Sequence, residues 1–319
     1  MLYICDENNN ITMAKPFLKW AGGKTQLLDD IDDIIGEIRV NMDSFIYVEP
    51  FVGGGSVLLH LLETCSNMKY AIINDLNSEL INCYRVVADN DAYVTLKEEL
   101  YNIQESYNCS SDKKLFYEDI RSKYNLWMRS RKDTSIDVMG AVYFMFLNKC
   151  GFNGLYRVSK KSGYNVHWGQ KEYLNIVDFD NLDYVHMLLN EKVIFMEGDY
   201  KNTAIVKDLC RVEKQDVLFY LDPPCRSASF TNSTAVAFTD KSQEELKEFC
   251  DGIDKCGGYF LLSNSSEGDY IENMYSGYDI KVVKAKRNIN SDGSKRGDVE
   301  EVLVTNYNIS DDCESYKLF

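Results

Sequence analysis

Residues 45–63 read FIYVEPFVGGGSVLLHLLE. The first five form an apolar, partly β-branched run that suits a strand buried on both faces. Three consecutive glycines, Gly53 to Gly55, interrupt the run, and from Ser56 it resumes as an apolar helix. Strand, glycine turn, helix is the opening unit of a parallel α/β sheet. Working outward, Tyr70-Ala-Ile-Ile-Asn-Asp75 predicts a second buried strand and Ser78 to Val87 a second helix. Upstream, PFLKWAGGKTQLLDDIDDIIG (residues 16–36) predicts a glycine-containing turn followed by an amphipathic helix with Leu27, Leu28, Ile31, Ile34 and Ile35 on one side.

From about residue 90 to 170 the rhythm changes to polar helical stretches rich in Tyr, Asn, Lys and Arg, then to a Gly/Asn-rich segment suited to a hairpin or long loop. Alternation of strands and helices returns with Val193–Met196, Asp216–Asp222 and Tyr259–Ser263, and closes with a strand pair, Tyr278–Ala285 and Glu300–Tyr307. The expectation is one main α/β core, residues 1–88 and 172–319, and a mainly helical satellite, residues 89–171, ending in a hairpin at about 148–171.

Apolar residues make up 45% of the 319 and charged residues 27%, enough apolar surface to bury a core. No stretch approaches the ~18 apolar residues of a membrane span. The N-terminus, MLYICDENNN, lacks the basic-then-apolar layout of a secretory signal. An intracellular, cytoplasmic protein of a bacterial cell or a virus-infected host cell is expected, with no membrane partner. Ten cysteines without a CxxC pair and only three histidines predict reduced thiols and no metal site. The net charge of −15 opposes a polyanionic partner overall. Locally, however, Arg121 to Lys132 and Asn148 to Lys171 are basic and nearly free of acid, as is Lys281 to Gly297, and phosphate contacts need only a local positive face.

Two motifs carry chemistry. Glycines between a strand and a helix let a ligand approach the backbone closely, and Asp75 stands at the end of the next strand, 22 residues after Gly53, where nucleotide-binding sheets place a carboxylate against ribose hydroxyls. The turn is neither GxGxxG nor a phosphate loop; tight packing and helix capping are its bland alternatives. Phe219-Tyr-Leu-Asp-Pro-Pro-Cys225 sets a carboxylate and two prolines at the carboxyl end of a buried strand. A nucleobase amino group keeps its lone pair in the ring; two acceptors on its hydrogens, such as the Asp222 carboxylate and the Pro223 carbonyl, help localise that pair for attack on a sulfonium methyl.

Taken together, Pro16-Phe-Leu-Lys-Trp-Ala-Gly-Gly-Lys24, Tyr47-Val-Glu-Pro-Phe-Val-Gly-Gly-Gly55, Asn74-Asp-Leu-Asn77, Phe152-Asn-Gly-Leu-Tyr-Arg157, Asp222-Pro-Pro224, Leu262-Ser-Asn-Ser265 and Ile289-Asn290 resemble the DNA adenine methylase (Dam) family, in family order over nearly the whole chain. The resemblance implies a Rossmann-like methyltransferase sheet with an inserted, mainly helical DNA-recognition domain. It implies transfer of a methyl group from S-adenosylmethionine to N6 of a flipped-out adenine in double-stranded DNA. Trp20, Lys24, Phe51, Gly53, Gly55, Asp75 and Asp222 would hold the cofactor; Asp222, Pro223, Pro224 and Cys225 would form the catalytic motif. Residues 148–169 resemble the family's DNA-reading hairpin: Arg157 with Asn153 or Asn165 would meet base edges, and Lys149, Lys160, Lys161 and Lys171 would meet phosphates.

The chain departs from the family at Ser159, Tyr164, His167 and Trp168 in the hairpin, so the GATC recognised by several members is not carried over. It departs again at Cys225, where the family has an aromatic residue to stack on the extruded base, a contact of about 1–3 kcal/mol in single-strand binders. Phe230, Phe238, Tyr156 and Trp168 are the candidates to replace it. Other readings stay open on the sequence: cytosine methylation at N4, or at C5 through Cys225; an RNA substrate; or a non-catalytic DNA-binding homologue.

Overall fold

The computed structural model describes residues 13–131, 135–159, 161–190, 192–224, 238–266, 269–286 and 298–309. Strand β1 (Phe45–Glu49) follows helix α1 (Leu28–Arg39) and leads through the glycine turn into α2 (Ser56–Thr64); β2 (Met68–Ile73) leads into α3 (Ser78–Ala88). Three helices come next, α4 (Asn90–Cys109), α5 (Lys113–Ser130) and α6 (Val138–Cys150), then a short hairpin of β3 (Val158–Ser159) and β4 (Gly163–Tyr164), and α7 (Phe179–Asn190). The chain continues through β5 (Val193–Phe195), α8 (Lys207–Glu213), β6 (Asp216–Leu221), α9 (Asp240–Lys255), β7 (Tyr259–Ser265), α10 (Tyr270–Met274), β8 (Asp279–Lys286) and β9 (Asp298–Thr305).

Seven strands form one sheet in the order β5-β2-β1-β6-β7-β9-β8. Neighbours pair in parallel except around β9, which runs antiparallel to both β7 and β8. Alternation along the strands divides the core by face. Tyr47, Leu218, Tyr220, Leu261 and Leu303 pack with α1 to α7, whereas Ile46, Val48, Phe219, Leu262 and Val304 pack with α8 to α10.

Aspartates cut the helical stretch into pieces. Asp89, Asp112 and Asp137 each accept a backbone N–H in the first turn of α4, α5 and α6, respectively, satisfying donors that a helix start leaves open. The helices of the expected satellite pack against those of the sheet. Leu96 and Leu100 of α4, Tyr117 and Tyr124 of α5, and most of α6 belong to the same buried cluster as α1 to α3. The reason is α6, which is apolar on nearly all sides and therefore needs neighbours all round. Asn82 of α3 reinforces the join, donating to the Asp137 carbonyl at 2.8 Å and accepting from its amide at 2.9 Å.

Candidate active site

The carboxyl ends of β1, β2 and β6 converge on one cavity of about 320 Å³, lined among others by Trp20, Lys24, Glu49, Phe51, Gly53, Asp75, Tyr200, Asp222, Pro223, Pro224 and Phe238. The turn after β1 is left-handed at Gly53 (φ 49°) and Gly55 (φ 72°). A Cβ on Gly53 would stand 2.9 Å from Trp20 Cδ1, so a side chain there is excluded by the ring as well as by the backbone angle. Tyr84 of α3 donates from its hydroxyl to the Gly53 carbonyl at 3.0 Å. Asn74, fully buried just beyond β2, donates to the carbonyls of Pro50 and Gly198, both at 3.0 Å, and so ties the ends of three strands together.

Asp75 Oδ2 accepts from the Gly53 amide at 3.1 Å and Oδ1 from the Asn77 amide at 2.9 Å. Burial outweighs these bonds and pushes its carboxyl up to about 6. Across the cavity Lys24 Nζ donates to Asp222 Oδ1 at 2.7 Å and lies 4.0 Å from Glu301 of β9. Burial, opposed by Lys24 and assisted by Glu301, pushes the Asp222 carboxyl up to about 6. Glu49, at the end of β1, accepts from the Tyr47 hydroxyl at 2.9 Å; burial holds its carboxyl well above the usual carboxylate range. The pocket thus gathers the buried carboxyls of Glu49, Asp75 and Asp222, with Lys24 bonded to the last, an arrangement that favours a ligand bringing positive charge and hydroxyl donors.

Trp20 forms one wall, over Gly53 and Gly54, and packs from behind on Phe144 and Tyr156. Phe51 lies against Tyr200 with ring centroids 5.0 Å apart and meets the edge of Phe238 at 6.2 Å. Of the four candidates for an aromatic floor, Phe238 lines the cavity; Tyr156 is buried behind Trp20; Trp168 donates from its indole to the Tyr107 hydroxyl at 2.9 Å. Phe230 and Cys225 lie outside the described residues, as do Lys160, Ile289 and Asn290.

The hairpin is seated on α5. Asn125 accepts from the Tyr164 amide at 2.7 Å and donates to its carbonyl at 3.0 Å, while Tyr117 and Arg121 both donate to the Val166 carbonyl. Within the basic run Arg121 to Lys132, Arg121 holds the hairpin and Arg131 lies over the Trp127 ring, whereas Lys123 and Arg129 are exposed. Arg157 and Asn153 are exposed on the hairpin and its root, and Lys161 is exposed at the turn. Asn165 is paired with Arg157: its Oδ1 accepts from Arg157 Nε at 2.5 Å and its main-chain carbonyl from an Arg157 Nη at 3.1 Å. Lys149 is half-buried, and burial next to Lys19 lowers its ammonium from the usual lysine value.

Sequence reasoning missed Glu49, Asn74, Tyr84, Asn148 and Glu301. The first two stand inside the VEPF and NDLN blocks, where the pattern flagged the stretch but not the side chain; the others come from distant segments that only packing brings here.

The profile of the D12 class N6 adenine-specific DNA methyltransferases matches residues 20–289. The chain belongs to this family. The type II methyltransferase M.MjaIII of Methanocaldococcus jannaschii is 39% identical over 92% of this chain and 99% of its own length. M1.LlaDCHI of Lactococcus lactis subsp. cremoris is 34% identical over 94% of this chain and 98% of its own. The DNA adenine methylase of Escherichia coli K12 is 31% identical over 91% of this chain and 94% of its own. Membership selects, from the readings left open above, site-specific methylation of adenine in DNA, on a Rossmann-like methyltransferase sheet, and implies S-adenosylmethionine as methyl source. Among the described residues this D12 methyltransferase has no group of His, Cys, Asp and Glu suited to a metal ion and no helix long and apolar enough to cross a membrane.

Proposed function

We propose that this D12 methyltransferase acts on double-stranded DNA and methylates an adenine extruded into the cavity between Trp20 and Pro224. The observation that carries the reading is the Lys24–Asp222 bond, because it fixes a carboxylate in the pocket that the glycine turn also lines. The residues fit S-adenosylmethionine: Gly53 and Gly55 keep the wall thin, Asp75 offers a carboxylate to hydroxyls, and the surplus of buried acid matches a cation. When bound, that molecule supplies an electrophilic methyl on a sulfonium centre. Trp20, Phe51 and Tyr200 would hold flat and apolar parts by contact.

The remaining chemistry belongs to the chain. Lys24 engages Asp222 Oδ1, which leaves Oδ2 to accept one N6 hydrogen; the Pro223 carbonyl accepts the other. Pulling both hydrogens toward fixed acceptors turns the N6 lone pair out of the ring, and because the acceptors are preset they need no reorganisation during transfer. Asp222, with its carboxyl at about 6, is also basic enough to take the proton that N6 releases. Residues 89–171 serve target recognition, with Arg157 and Asn153 on base edges, Asn165 orienting Arg157, and Lys149, Lys160, Lys161 and Lys171 on phosphates. Methyl transfer from labelled S-adenosylmethionine to mixed-sequence duplex, followed by nucleoside mass spectrometry, tests the whole. N6-methyladenine from the wild type and none from Asp222→Ala, with DNA binding retained, is the expected result; near-normal activity of Asp222→Ala overturns the mechanism.

A further inference from the structure

Asn148 lies in the last turn of α6 and is 3% exposed. Its Oδ1 accepts from the Lys19 amide at 2.8 Å, and its Nδ2 donates to the Lys19 carbonyl at 2.8 Å and the Gly154 carbonyl at 3.3 Å. One side-chain amide therefore pairs with both main-chain groups of Lys19, as a neighbouring strand would, and reaches on to a second segment. The two segments have different tasks. Lys19 precedes Trp20, the ring that walls the cofactor pocket; Gly154 belongs to the turn that leads through Tyr156 to Arg157.

The join has little slack. A Cβ on Gly154 would fall 2.8 Å from Lys19 Cδ, and Gly154 holds a left-handed φ of 64°. Tyr156 packs on Trp20 with centroids 5.7 Å apart, on Phe144 at 5.2 Å and on Tyr164 of β4 at 5.7 Å. A ligand that pins Trp20 must also restrict Tyr156, and close-packed interiors transmit such restriction rather than absorb it. Ordering produced by one ligand need not be supplied again by the next, which is positive coupling without a large movement.

We propose that Asn148 is a positioning residue that makes the cofactor wall and the root of the DNA-reading hairpin one mechanical unit, so that filling the pocket tightens DNA binding. By linkage, DNA tightens the cofactor by the same factor. The proposal rests on the cofactor and hairpin assignments given above.

The test measures the dissociation constant of S-adenosylhomocysteine with and without a short duplex carrying a site the enzyme methylates. A coupling factor of about 5-fold or more is expected for the wild type, at the low end of common allosteric couplings. Asn148→Ala should bring the factor near unity while each ligand still binds alone. A variant that keeps the wild-type factor overturns the clamp. Because Asn148→Ala removes three buried bonds, hydrogen exchange of residues 152–157 in the wild-type chain provides a second readout: S-adenosylhomocysteine alone should slow it, and unchanged exchange overturns the proposal whatever the variant does. A wild type that binds neither ligand refutes the underlying assignments; one that binds both without coupling refutes only the role of Asn148.

Discussion

Removing Lys24 should cost stability in proportion to pH, and the structure sets the size. In the folded chain the Asp222 carboxyl is raised from 3.8 to about 6 despite Lys24 at 2.7 Å. A carboxyl raised in this way contributes stability that is fully present below 3.8 and lost as pH rises through about 6. Lys24 limits that loss, because at about pH 7 an ionised Asp222 lies on the order of 1 kcal/mol below its protonated form in the wild type. In Lys24→Met the partner is gone, the carboxyl moves further up and keeps its proton, so the variant forfeits that amount and no more. Full rupture of a buried pair is typically worth about 3–5 kcal/mol, but protonation relieves the isolated charge first. The expected destabilisation is therefore close to zero at about pH 5, on the order of 1 kcal/mol at about pH 7 and on the order of 3 kcal/mol at about pH 8. Urea unfolding midpoints of both proteins at those three values measure it. A destabilisation that is the same at the lowest and highest pH would refute the reasoning, since it would mean that Lys24 acts by packing and not through the charge of Asp222. The same substitution should move the acid limb of the activity profile to higher pH.

Gly53→Ala should weaken S-adenosylhomocysteine binding at least tenfold, because the new Cβ meets Trp20 at 2.9 Å and a left-handed angle costs an L-residue about 1–2 kcal/mol; equilibrium dialysis checks it, and unchanged affinity would count against the proposed wall. In the wild type, kcat/KM should fall as pH drops through about 6, where Asp222 and Asp75 take up protons in the free enzyme, and a flat profile down to about pH 5 would contradict the acceptor role. Asn165→Ala removes the Oδ1 acceptor of Arg157 Nε while the main-chain carbonyl bond stays, and should reduce discrimination between cognate and single-substituted duplexes, by a share of the about 1–3 kcal/mol of a bidentate base contact; an equal loss on every sequence would put Arg157 on phosphate instead. Cys225→Tyr should raise single-turnover methyl transfer, since an aromatic ring restores base stacking of about 1–3 kcal/mol, and a slower variant would show that Cys225 has its own task.

The sequence by itself determined the repeating strand–turn–helix units, the glycine turn, the aspartates that end β2 and β6, and the interruption by helices. These are local: runs of apolar residues declare buried strands and consecutive glycines declare a tight turn, all within a few residues. Ordered short motifs then sufficed to name the family. Tertiary structure alone decided what depends on segments far apart in the chain. It inserted β9 between β7 and β8, which brings Glu301 beside a lysine from residue 24. It packed the helical insertion against the main core, because α6 is apolar on nearly all sides and needs neighbours all round. It paired Asn165 with Arg157 and Arg121 with the Val166 carbonyl, since a hydrogen bond depends on where a partner lies and composition carries no such position. Asn148 is the extreme case: a buried amide in a mainly apolar helix, legible only as an oddity until Lys19, 129 residues earlier, arrives to accept and donate across it.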